Sequence, residues 1–113
     1  MDPNGNSTEY IDLDQIEFSM ETLRFLRKKL DKFTIEVFRK VLTSNSEHKG
    51  LVKTRLENYQ SQRKKYDAAF LILEYQGFIE KREDGTMTPY WVTVRGKQLL
   101  TILKEEKAKR EEI

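Results

Sequence analysis

Cysteine is absent from the 113 residues, and histidine occurs once, as His48. The first absence excludes a disulfide framework and any thiolate metal site, and the second leaves too few imidazoles for a histidine cluster. There is no long apolar run, so no segment is expected to cross a membrane. The opening MDPNGNSTEY has neither a basic start nor an apolar stretch, so no secretory signal is expected and a cytoplasmic location is the expectation. A glycine-rich phosphate loop is missing too, and the carboxylates are scattered, so neither catalysis nor a bound cofactor or metal is expected. The length suits one domain with a modest core and is too short for two.

What the chain does have is segregated charge. The net value of +2 hides an acidic start and a basic middle. Residues 1–18 hold Asp2, Glu9, Asp12, Asp14 and Glu17 with no base. Residues 39–67 hold eight bases, namely Arg39, Lys40, Lys49, Lys53, Arg55, Arg63, Lys64 and Lys65, against Glu47, Glu57 and Asp67. Such asymmetry either marks a surface that meets a polyanion or belongs to ordinary solvated helix faces.

Periodicity divides the chain into a succession of elements. Residues 1–11, rich in Asn, Gly, Ser and acids and without an apolar period, read as a flexible acidic tail. Ile16, Met20, Leu23, Leu26 and Leu30 fall on one stripe and predict an amphipathic helix over 12–30, with Asp12 or Ser19 as its cap. Ile35, Phe38, Val41 and Leu42 predict a second helix, closed by a polar loop from Thr43 to Gly50. A short helix over Leu51 to Leu56 follows, then a helix over 61–76 that Ser61 caps and Gly77 ends. After Gly77 the period changes, and FIEKRE and TPYWV read as two strands about the turn dipeptide Asp84-Gly85. Thr93 then caps a last helix over 95–113. The fold class is therefore mainly α with a small β-hairpin.

The span LILEYQGFIEKREDGTMTPYWVTVRGKQLL resembles the stretch that closes winged helix-turn-helix domains in bacterial and archaeal regulators of the PadR and MarR kind. Leu73, Gly77, Phe78 and Ile79 match the anchor, turn and wing-opening positions, and Val92, Thr93, Val94, Arg95 and Gly96 match the return to the next helix. The resemblance covers roughly residues 31–103. The turn NYQSQ departs from the pattern by lacking the usual small residue.

The resemblance implies a single winged-helix domain over 12–113, with a core over 31–94 and extra helices at both ends. It also implies a recognition helix at about 61–76 in the major groove of double-stranded DNA and a wing over 78–92 near the minor groove. On that reading Gln62, Arg63 and Lys64 are candidates for base edges, Asp67 lies beside them, and Lys65 meets a phosphate. Lys49, Lys53 and Arg55 are expected over the backbone, and Lys81, Arg82, Thr86 and Thr88 on the wing, where Glu83 and Asp84 oppose them. Tyr66 is expected to be structural, His48 a loop residue, and Tyr90 and Trp91 to pack on the helices and not to stack on unpaired bases.

The stripes Met20, Leu23, Leu26, Leu30 and Leu99, Leu100, Leu103 either cover each other or pair with a second copy. Dimerisation is the expectation, because one recognition helix reads few base pairs. The function expected is a homodimeric transcriptional regulator. A plasmid or viral partition or replication protein, and a winged helix that binds only protein, are the alternatives.

Overall fold

Ser19 decides where the first helix begins. Its side chain accepts a hydrogen bond from the Thr22 N–H at 3.1 Å, and α1 runs from there over Met20–Lys28. The structure, a computed structural model, describes residues 13–111, so the expected tail, Asp12 as a cap and residues 112–113 lie outside the described residues. The helix expected from residue 12 is thus shorter, preceded only by a 3-10 turn at Leu13–Gln15. The cause is competition for backbone groups. Gln98 accepts from Phe18 N–H and donates to Phe18 C=O, both at 3.0 Å, and Arg95 donates to Ile16 C=O at 2.7 Å. Peptide groups held by side chains in this way are withdrawn from a helical ladder.

Asp31 caps α2, Lys32–Ser46, by accepting from Thr34 N–H at 2.8 Å. This helix runs into the expected loop because Asn45 is needed at its end. The Asn45 amide donates to Lys49 C=O and accepts from Val92 N–H, both at 2.8 Å, tying α2 to the later strand. His48, at φ 65°, takes the left-handed position that closes the helix, with Lys49 N–H reaching back to Ser44 C=O.

The short helix expected over Leu51 to Leu56 reduces to a 3-10 turn, Lys53–Arg55. Leu51 instead exchanges two backbone hydrogen bonds with Tyr90, of 2.9 and 3.0 Å, as an isolated bridge. α3 spans Arg63–Tyr75, and its expected cap is also different: Ser61 Oγ donates to Asn58 C=O, and Gln62 stands at the cap position with no side-chain bond. Asn58, at φ 67°, supplies the left-handed turn that a small residue would otherwise provide. Gly77, at φ 88°, ends α3 as expected, with Phe78 N–H bonded to Leu73 C=O and Gly77 N–H to Glu74 C=O.

The hairpin pairs β1, Ile79–Lys81, antiparallel with β2, Tyr90–Val92, in the register Ile79 to Val92, Glu80 to Trp91 and Lys81 to Tyr90. Arg82 N–H still reaches Pro89 C=O, and an Asp84–Met87 bridge closes the tip. Thr93 then starts α4, Val94–Glu111, by accepting from Gly96 N–H at 3.0 Å while donating to Gly77 C=O at 2.6 Å. Among the described residues four helices and one antiparallel hairpin result, so the architecture is mainly helical.

One cluster of buried residues joins every helix and both strands, with Val37, Phe38, Phe70, Leu73, Phe78 and Leu99 at its centre. This corrects the expected dimerisation surface. Leu23, Leu30, Leu99 and Leu103 are buried within the single chain where α1 meets α4, and Leu26 packs against the same cluster. Arg27 clamps the pair from outside by binding Glu106 through its Nε and Nη2, the latter at 2.9 Å. Of the seven residues on the two stripes only Met20 stays largely exposed, Leu26 and Leu100 being half-buried.

Candidate nucleic-acid interface

The 3-10 turn at Lys53–Arg55 and the hairpin face one another across a groove of about 440 Å³. Lys53, Thr54, Arg55, Lys81, Thr86 and Thr88 line it, with Val52, Met87 and Tyr90 as its apolar part and no carboxylate in the lining. The structure thus brings together Lys53, Arg55, Lys81, Thr86 and Thr88 from segments far apart in sequence. Thr54 and Met87 were not expected there. A turn that shows two cations outward carries the residue between them along, which is the signal for Thr54; Met87 has none beyond its place at the hairpin tip.

α3 joins the groove through an ionic link. Lys53 Nζ lies 2.9 Å from Asp67 Oδ1, which also accepts from the Tyr59 hydroxyl at 2.8 Å. The Lys53 bond, then the Tyr59 bond, hold the Asp67 carboxyl below the usual carboxylate range. Burial opposes the charge of Lys53, but the hydrogen bond to Asp67 and smaller attractions from Tyr90, Asp67 and Tyr59 prevail, so its ammonium is held above its ordinary value. Burial likewise raises the Tyr90 phenol, against the pull of Lys53. Asp67, expected beside the bases, serves as a strut between α3 and the 3-10 turn. Glu74, one side of α3 further on, stands 3.8 Å from Lys81.

The first turn of α3 leaves Gln62, Arg63, Lys64 and Lys65 exposed around a depression of about 410 Å³. Arg63 leans toward Asp67 at 3.7 Å, and Lys65 sits over the Phe33 ring at 4.6 Å. Lys64, Arg55 and Lys49 have no carboxylate within ion-pair distance among the described residues.

Two of the expected residues stand apart. Lys49 is exposed after the end of α2 and does not line the groove. Arg82 binds Glu80 at 2.7 Å and covers the Trp91 ring at 5.3 Å, on the hairpin face opposite Lys81. Strand alternation accounts for this, since successive residues of a strand point to opposite faces. Of the two strand aromatics, Tyr90 is buried on Phe70 with ring centroids 4.7 Å apart, while Trp91 is half-buried beneath Arg82.

Among the described residues no three His, Asp or Glu side chains stand together as metal ligands, and no helix is long and apolar enough to cross a membrane. No protein-family model, no curated protein and no solved structure matches the chain.

Proposed function

We propose that this protein binds double-stranded DNA as a transcriptional regulator of the winged helix-turn-helix kind, with α3 toward the major groove and the β1–β2 hairpin beside the minor groove. The observation that carries the reading is the groove between the 3-10 turn and the hairpin, lined by three cations and three threonine hydroxyls without a carboxylate. Phosphate oxygens ask for that combination of charge and neutral donors. Supporting it is the order helix, 3-10 turn, helix, hairpin, helix, with the exposed basic turn of α3 linked to the groove through Asp67. A second copy would lengthen the site read, and it would have to pair through surfaces other than the leucines already buried in the chain's own core.

The test is binding to duplex DNA across a range of salt. The logarithm of affinity is expected to fall against the logarithm of salt, with a slope of about −0.9 for each phosphate that a cation of the groove or of α3 meets. Arg55→Ala, which changes an exposed side chain without an ion-pair partner among the described residues, is expected to weaken all sequences alike and to make that slope shallower by about one. No complex at low salt removes the proposal.

A further inference from the structure

α3 turns Tyr66, Ala69, Phe70 and Leu73 into the core. Opposite them Lys64, Ala68, Leu71 and Tyr75 follow at spacings of four, three and four, and all are exposed, Leu71 at 48%. This outward face is cationic at its amino end and apolar beyond it. The helix's two acids do not interrupt it, because Asp67 is held by Lys53 and Tyr59, and Glu74 is drawn toward Lys81 on the hairpin side. A face led by Lys64, whose neighbouring carboxylate Asp67 is already paired with Lys53, and carrying methyl-bearing side chains, is complementary to a polyanion that also presents methyl groups. A second copy of the same face laid parallel would bring cations to cations with no acid to answer them, whereas a duplex meets them with phosphates.

The duplex major groove has the required chemistry, since each thymine shows a C5-methyl there and apolar side chains contact it. We propose that Ala68 and Leu71 read thymine methyls, so that the preferred duplex places thymines under the middle turns of α3. The inference rests on the DNA-binding reading and adds to it the base that is recognised. Lys64, ahead of the pair, anchors the helix without itself choosing a base.

Two synthetic duplexes separate this from general DNA binding: one of alternating dA and dT, and one of the same length with dU for dT, which differs only in lacking the methyls. Titrated at low salt, the full chain is expected to prefer the thymine duplex by about fourfold for each methyl covered. Leu71→Ala, at an exposed site outside the core, reduces that ratio, and Ile72→Ala, further round the helix, leaves it unchanged. Equal affinity for both duplexes overturns the inference while leaving DNA binding in place, and so does an undiminished ratio in Leu71→Ala. Absence of any complex with either duplex overturns the DNA-binding reading and the inference with it. If the ratio is one and sedimentation finds a self-association that Leu71→Ala abolishes, the face belongs to a second copy and the inference fails.

Discussion

Asp67 accepts from Lys53 at 2.9 Å and from Tyr59 at 2.8 Å, with Arg63 at 3.7 Å, so three segments meet on one carboxylate. Its depressed pKa has a consequence for stability. A carboxylate whose folded value lies below its unfolded one contributes stability above the unfolded value, about 3.9 for aspartate, and the contribution is lost as pH falls through the folded value. Asp67→Asn is therefore expected to be less stable than the native chain near neutral pH, with the difference in urea midpoint shrinking as pH drops below about 4. A difference that stays constant from neutral to acid would mean that the pair does not stabilise the fold through charge. The reversed trend applies to Lys53, whose raised value makes its contribution present at neutral pH and lost at strongly alkaline pH. Asp67 could be placed on α3 from periodicity, but its role could not, because Lys53 and Tyr59 reach it only through the turn that Asn58 makes.

Elements were legible where a single residue sets a boundary by its own backbone chemistry. Gly77 ends α3 and Thr93 begins α4, both as the local signals indicate. Boundaries set by distant partners were not legible. α1 starts late because Gln98 and Arg95 hold the residues before it, and α2 runs on because Asn45 binds Val92. The junction of hairpin and last helix depends on Gly96, where a Cβ would collide with the Phe78 carbonyl oxygen and approach Val92 Cγ1 to 2.6 Å. The Phe78 carbonyl cannot retreat easily, since it accepts from Thr93 N–H at 3.1 Å. Gly96→Ala is accordingly expected to push α4 off the hairpin and to destabilise the chain by about 1–3 kcal/mol, a cost typical of overpacking a dense interior. Equilibrium urea unfolding measures this. A stability equal to the native chain's, despite the better helix propensity of alanine, would mean that the junction opens without cost.

For the whole molecule, the core was legible as apolar stripes, but which stripes face one another was not. Periodicity says that Leu23 and Leu99 must be covered and is silent on whether the cover is the same chain or a second one. The Arg27–Glu106 fork and the Arg24–Glu105 pair at 3.6 Å, both between α1 and α4, hold the two helices together within one chain. Dimerisation through these leucines would require α1 to leave α4 and would break both pairs. Leu99 is 0% exposed, so Leu99→Ala is expected to cost about 3 kcal/mol through lost burial and the cavity left behind, a large part of a small domain's stability. If the leucine belongs to the chain's own core, that loss is the same at every protein concentration, and the sedimentation coefficient of the folded variant equals that of the native protein. Were the leucine at an interface between copies, the native midpoint would instead fall on dilution and the loss would shrink with it, because a bimolecular contact stabilises only while the copies are associated. Urea midpoints for both chains across a hundredfold dilution therefore distinguish a leucine core built within one chain from one completed by a second.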